Sequence, residues 1–260
     1  MSHQFRQGSS PLLVSFPHNG SHISADVATN MTAEGRSSLD TDWFLDRLYD
    51  FPELRDASLL VAEQSRYVID LNRPRTDESL YPGQTTTGLI PLNRFDGKAI
   101  YEVQPSDLEV QRRIDEVWIG YHRQIKSEMH RLVRQHGVAV LIEAHSIESE
   151  VPRLFDGKLS DFNIGSNRGE SCDVGLTDAV MRVIESQEQY SSVLNGRFVG
   201  GYITRHFGDP ANHCHAIQFE LSQATYLNES TKQWDDEKAL QVQPVFRNII
   251  TGIKQWLNTK

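Results

Sequence analysis

Apolar residues recur along this chain with two different periods. Short continuous runs, suited to strands covered on both faces, occupy residues 12–16 (LLVSF), 57–62, 66–71, 138–142 (VAVLI) and 216–220. A further short strand is expected at 162–164 and another at 197–203. Residues 106–135 follow a helical period instead: Ile114, Val117, Trp118, Tyr121, Ile125, Met129, Leu132 and Val133 return at spacings of three and four, and Gly137 sits where a C-terminal cap belongs. Helices are also predicted over 40–50 (DTDWFLDRLYD, with Asp40 or Thr41 as cap), 173–188 and 235–257, the last broken or kinked at Pro244. Strands alternating with helices predict βαβ units. The expected fold is α/β: one domain over residues 1–260, with a mixed, mostly parallel sheet flanked by helices. Residues 72–101 are rich in Pro, Gly, Thr and Arg with little periodicity, as in a lid or binding loop.

Four of the apolar runs end in polar clusters. Residues 12–16 lead into Pro17, His18, Asn19 and Gly20; Tyr67, Val68 and Ile69 into Asp70, Leu71, Asn72 and Arg73; residues 138–142 into Glu143, Ala144, His145 and Ser146; residues 216–219 into Glu220. In open α/β sheets the carboxyl ends of the strands line one crevice where ligands bind, so residues distant in sequence would meet there.

Composition narrows the class. With 260 residues, 38% hydrophobic and 23% charged, the chain can bury a sizeable core. No linker or internal repeat divides it, and the residues of interest spread from His18 to Glu220. A net charge of -9, with scattered Lys and Arg, argues against nucleic acid or an anionic membrane as partner. An anionic small-molecule substrate would therefore need local arginines. The N-terminus lacks the apolar core of a signal peptide, and no run approaches the roughly 20 apolar residues of a membrane span. Two cysteines, Cys172 and Cys214, make no disulfide framework. The expectation is a cytoplasmic monomer or small homo-oligomer.

The candidate chemistry is metal-assisted hydrolysis. His145 closes the most buried-looking strand, where an imidazole needs partners for both nitrogens; a metal ion would supply one and a carboxylate the other. Two histidines and one carboxylate, with a fourth position for water, make a common catalytic zinc site. His18 is the second histidine, and Asp40, Asp42, Glu143 and Glu148 are the available carboxylates; Glu143 alternates with His145 along the strand. His22 makes an H-x-x-x-H with His18, but Gly20 and Ser21 argue against a helix between them. Glu220 lies in an otherwise apolar segment, where desolvation and a nearby cation balance its pKa as a general base requires. Arg66 and Arg73 supply planar donor forks for carboxylates or an oxyanion, and Asn72 adds an amide. His215 is expected to line the pocket near Glu220, while His206, His213 and His215 offer a weaker second cluster. No phosphate loop and no G-x-S-x-G elbow is present.

At these residues the chain resembles the N-formylglutamate amidohydrolases, or N-formylglutamate deformylases, of histidine degradation. The resemblance is carried by residues 17–24 (PHNGSHIS), 40–50, 65–74 (SRYVIDLNRP), 143–147 (EAHSI), 153–172, 200–208 (GGYITRHFG) and 215–229, in order along nearly the whole chain. More distantly, the order of clusters is similar to that of the zinc carboxypeptidases and aspartoacylases, which implies a phosphorylase/hydrolase-like architecture. The resemblance implies one divalent metal, zinc foremost, on His18 and His145; Glu220 as general base; Asn72 and Arg73 on a substrate carboxylate; and Arg66 at the oxyanion. Those relatives take a third ligand three residues after the first histidine, where this chain has Ser21. Asp42 is the preferred replacement and Glu143 the fallback. N-formyl-L-glutamate carries two carboxylates, and Arg153 or Arg205 is expected to meet the second. Hydrolysis would release formate and L-glutamate. The alternatives are a zinc amidase for another N-acyl amino acid or small peptide, and a non-catalytic dicarboxylate-binding protein.

Overall fold

Along β4 (Ala139–Ile147), alternate residues bury into two different clusters: Val140, Ile142 and Ala144 into one, Ala139 and Leu141 into the other. A strand can do this only if both faces of its sheet are covered. The computed structural model describes residues 2–260 apart from Tyr81, Pro82 and Gln84, and it shows that sheet to have seven strands. The remaining strands are β1 (His3–Arg6), β2 (Leu12–Phe16), β3 (Ser58–Ala62), β5 (Phe162–Gly165), β6 (Ser192–Leu194) and β7 (Cys214–Ser222). Their order is β1-β3-β2-β4-β7-β5-β6. The centre, β3 to β7, is parallel; β1 and β5 run antiparallel to their neighbours β3 and β7. The fold is thus α/β with a mixed, mostly parallel sheet.

Helices cover both faces. The short helices α1 (Ala25–Ala28) and α2 (Leu45–Leu48) follow β2, and α3 (Asp107–Arg113) continues through a π-helical turn, Ile114–Trp118, into α4 (Ile119–His136). Then come α5 (Val174–Glu185), α6 (Tyr202–Phe207) and α7 (Asp236–Leu257). Tyr121, Ile125, Met129 and Leu132 of α4 pack on one face with Ile203 of α6; α2, α5 and α7 pack on the other. Burial of each large aliphatic side chain there contributes about 1.5–3 kcal/mol. Ser106, Asp173 and Asp235 cap α3, α5 and α7 through their side chains, and Gly137 ends α4 at φ +78, a backbone that favours glycine.

Four expectations change. Residues 66–71 form no strand: a turn closes from Val68 N to the Ser65 carbonyl at 2.9 Å, and the apolar run reflects burial of Tyr67, Val68, Ile69 and Leu71 beneath α3 and α4. Residues 197–203 are likewise not a strand, because Gly200 turns at φ +133 and α6 begins at Tyr202; the strand lies earlier, in β6. The helix expected over 40–50 shrinks to Leu45–Leu48, since Phe44 adopts a left-handed conformation, φ +59, and Thr41 spends its hydroxyl on the Ser38 carbonyl. Finally, α7 runs through Pro244 without interruption. Pro244 and Leu240 both lie on the exposed side, so water can satisfy the carbonyl that proline leaves unbonded. Residues 72–101 do form a long irregular segment, of which Tyr81, Pro82 and Gln84 lie outside the described residues. No helix among the described residues is long and apolar enough to cross a membrane.

Candidate active site

Toward the carboxyl ends of β4 and β7 the pattern on one face changes from apolar to polar. Ala139 and Leu141 give way to Glu143 and His145 on β4, and Ala216 to Gln218 and Glu220 on β7. The parallel register pairs Glu143 with Gln218 and His145 with Glu220. Four polar side chains therefore share one buried patch, of which His145, Gln218 and Glu220 line the floor of a cleft with His18, from the end of β2, beside them and Glu143 lies beneath. Buried groups of this kind destabilise the fold unless each finds a partner.

The partners are specific. His145 Nδ1 lies 3.1 Å from Asp42 Oδ2, and its Nε2 lies 2.6 Å from Glu143 Oε1 and 3.0 Å from Asn72 Nδ2. His18 Nε2 lies 2.6 Å from Asp70 Oδ1, while its Nδ1 is 3.9 Å from Asp42 Oδ2. The two rings are 4.8 Å apart between centroids. One ligand atom each from His18, Asp42 and His145 falls within 4.8 Å of the others, all three residues being buried. Each imidazole thus turns Nδ1 toward Asp42 and rests its Nε2 on another carboxylate, the arrangement that orients histidine ligands around a metal. Glu143, the alternative third ligand, is engaged elsewhere: it accepts from the Thr204 backbone N–H at 2.9 Å and from the Thr204 hydroxyl. Asp40 accepts from Phe95 N, and Glu148 pairs with Lys232.

The electrostatics suit a cation. Burial alone would lower His145, but Glu143, Asp42 and Glu220 outweigh it and raise the imidazole to about 10, so this locus draws positive charge. His18 is lowered, by burial first and by Arg66 next. Burial pushes Asp70 up, yet His18, Arg66 and Arg73 hold it well below the ordinary carboxylate range. Arg66 Nη2 donates to Asp70 Oδ2 at 2.9 Å, and its Nη1 is 3.8 Å from Asp42 Oδ1. Glu220 is raised to about 8, chiefly by burial, which His145 opposes. Gln218 Nε2 donates to Glu220 Oε2 at 3.2 Å while its Oε1 accepts from Gly201 N at 2.6 Å. A side chain at Gly201 would stand 2.2 Å from the Asn72 amide, so only glycine lets the two segments meet here.

Two arginines edge the cleft. Arg73 donates from Nε to the Thr87 carbonyl at 2.8 Å, from Nη1 to the Asn72 carbonyl at 3.0 Å and from Nη2 to the Thr87 hydroxyl at 3.2 Å. These partners are uncharged, so its positive charge faces the cleft without a carboxylate among them. Arg197 Nη2 donates to the Thr85 carbonyl at 3.2 Å and Nε to the Leu154 carbonyl at 3.0 Å.

His18, Asp42, Arg66, Asn72, Arg73, His145 and Glu220 are all brought to this locus. Three expected residues are not. His215 precedes Glu220 by five positions on β7, about 16 Å along a strand, and with odd parity it faces the opposite side. There it accepts from Asp173 N at 3.1 Å and meets Trp256 of α7 edge-on. Arg153 is exposed and reaches the Arg94 carbonyl, and Arg205 bonds the Gly200 and Leu80 carbonyls; neither lines the cleft. The Asn72 amide is fixed in place, its Oδ1 accepting from Ile203 N at 3.0 Å and its Nδ2 set against the His145 ring. His22 is exposed. Sequence reasoning missed Arg197, Gln218 and Thr204. Gln218 had a signal, its two-residue spacing from Glu220 in an apolar strand; Arg197, inside a segment read as strand, had none.

Comparison with known proteins agrees across the chain. The family model for N-formylglutamate amidohydrolase matches residues 10–227. The chain is 46% identical over 255 residues to a protein of Pseudomonas aeruginosa named N-formylglutamate deformylase, with 97% of this chain and 96% of that one covered. It is 45% identical over 255 residues to the deformylase of Pseudomonas putida, covering 97% and 95%. Among solved structures, an N-formylglutamate amidohydrolase from Ralstonia eutropha superposes with a TM-score of 0.85 at 23% identity, covering 99% of both chains. A gene product of Agrobacterium tumefaciens gives 0.74 at 16%, covering 99% and 96%. At these identities the two structures speak to the fold.

Proposed function

Because the chain belongs to the N-formylglutamate amidohydrolase family, we propose that it hydrolyses N-formyl-L-glutamate to formate and L-glutamate with the help of one divalent metal ion, zinc foremost. The observation that carries this reading is the pairing of His145 with Glu220 across β4 and β7, beside the His18, Asp42 and His145 cluster. The donor set, two imidazoles and a carboxylate with a second carboxylate behind each ring, fits zinc. An ion held there supplies a Lewis acid that acidifies water and polarises the formyl carbonyl.

The chain's own residues do the rest. Glu220, raised by burial and steadied by Gln218, takes a proton from the attacking water as its oxygen bonds to the formyl carbon. Arg66 stays cationic through Asp70 and Asp42 and stabilises the oxyanion that develops; one preorganised donor of this kind is typically worth about 3 kcal/mol. Glu220 then passes its proton to the leaving nitrogen as the C–N bond breaks. Arg73 holds one substrate carboxylate and Arg197, in place of Arg153 or Arg205, the other. Asn72 acts from behind, fixed between His145 and Ile203. The reaction belongs to histidine degradation in the cytoplasm.

The test is release of the free amine from N-formyl-L-glutamate, N-acetyl-aspartate and small peptides, with formate or acetate measured as the matching co-product of the first two and metal content measured before and after chelation. The reading expects turnover of the first substrate, lost on chelation and restored by zinc. Turnover of only another N-acyl substrate would replace the substrate assignment. Binding of dicarboxylates without turnover would replace the enzyme with a binding protein.

A further inference from the structure

Two ring donors from one helical segment close on the backbone on either side of Asn72. Trp118 Nε1 donates to the Arg73 carbonyl and His122 Nε2 to the Leu71 carbonyl, each at 2.9 Å. A carbonyl only accepts, so Nε2 of His122 carries the proton, and Nδ1 remains a buried acceptor with no partner among the described residues. Burial lowers this imidazole to about 3, which keeps it neutral. One turn earlier, Arg113 Nη1 donates to the Val68 carbonyl at 2.9 Å and to the Tyr101 hydroxyl at 2.7 Å.

The π-helical turn makes this possible. Arg113 and Trp118 are five positions apart, and at 3.6 residues per turn they would point about 140° away from each other. The turn over Ile114–Trp118 holds an extra residue, which brings both to the side facing residues 68–73. Such turns cluster at functional sites. The rings are themselves fixed: Trp118 stacks on His122 at 3.8 Å, and Phe207 of α6 stacks on the histidine at 5.9 Å. Ring packing needs none of the hydrogen bonds aimed at these two carbonyls. Together with Ile203 N on Asn72 Oδ1, they fix the dipeptide that carries Arg73.

We propose that the π turn, through Trp118 and His122, is a backbone clamp that sets where the Arg73 guanidinium meets the substrate carboxylate, which makes both rings positioning residues. This rests on the role given to Arg73 above. Trp118→Phe keeps the stacking and removes one N–H; His122→Leu removes the other, and His122→Gln restores a donor. The expected result with N-formyl-L-glutamate is a severalfold rise in KM for Trp118→Phe and His122→Leu, with kcat within about twofold of the parent and partial recovery in His122→Gln. Amide hydrogen exchange should quicken over residues 70–73 in both variants while α4 stays protected. Parent protein that releases no formate from N-formyl-L-glutamate would refute the proposed function, and the exchange measurement would still judge the clamp. Unchanged exchange over 70–73, or a fall in kcat at constant KM, would overturn the clamp alone.

Discussion

Glu220 is the residue on which chemistry and stability pull hardest in opposite directions. As the proposed base, its replacement in Glu220→Gln should keep the metal and lower kcat by about 100- to 10,000-fold, the usual contribution of a positioned acid–base group; retained metal with activity within tenfold of the parent would remove it from that role. The same substitution should make the metal-free protein more stable. Burial raises the folded-state pKa from 4.5 to about 8, so below 4.5 the folded and unfolded states are protonated alike, and stability is lost as pH rises through that window. Glutamine suffers no such loss. Melting temperatures of the chelated proteins should diverge in favour of Glu220→Gln between about pH 5 and pH 8, by roughly 2–4 °C per kcal/mol. Arg73 gives a cleaner binding test: Arg73→Lys should raise KM about tenfold, or about 1.4 kcal/mol, because an ammonium cannot reproduce the fork. An unchanged KM would place Arg73 outside substrate contact. His18, His145 and Glu220 were legible in the sequence because a polar residue closing an apolar strand is costly without a task. His215 looked similar, but the two-residue period of a strand separates it from Glu220, and counting parity would have found the error.

At the level of elements, burial signals read well and backbone signals read poorly. The runs that became β2, β4 and β7 and the periodicity of α4 and α7 are plain in the sequence. The apolar residues 66–71 carried the same signal although they lie in a turn, since burial rather than strand pairing had selected them. The π turn between α3 and α4 leaves no mark on a three-and-four pattern, because its insertion merely shifts which side of the helix continues inward. Pro244 shows the converse. Its position on the exposed side of α7 lets the helix survive at a local cost, so Pro244→Ala should stabilise the protein by about 1–3 kcal/mol in urea unfolding, with no change in kcat. No gain would mean that proline's restriction of the unfolded chain already offsets its cost to the helix.

For the molecule as a whole, the proposed ion would tie together residues 18, 42 and 145, contributed by chain segments that separate on unfolding. Zinc at about 100 times its dissociation constant should therefore add about 2.7 kcal/mol of stability, seen as a rise in melting temperature that Asp42→Asn or His18→Ala abolishes. An equal rise in those variants would locate the ion elsewhere. The register of the two central strands has a consequence of another kind. Because His145 and Glu220 face each other as neighbours in a nine-residue ladder, the gap between the proposed ligand and the proposed base is set by the hydrogen-bonding lattice itself. Sliding either strand by one residue would turn every side chain on it to the wrong face. Altered substrates can thus be accommodated by rebuilding the surrounding loops, while the reactive centre keeps a fixed gauge, and lengthening or shortening either strand between its ends should extinguish function rather than modulate it.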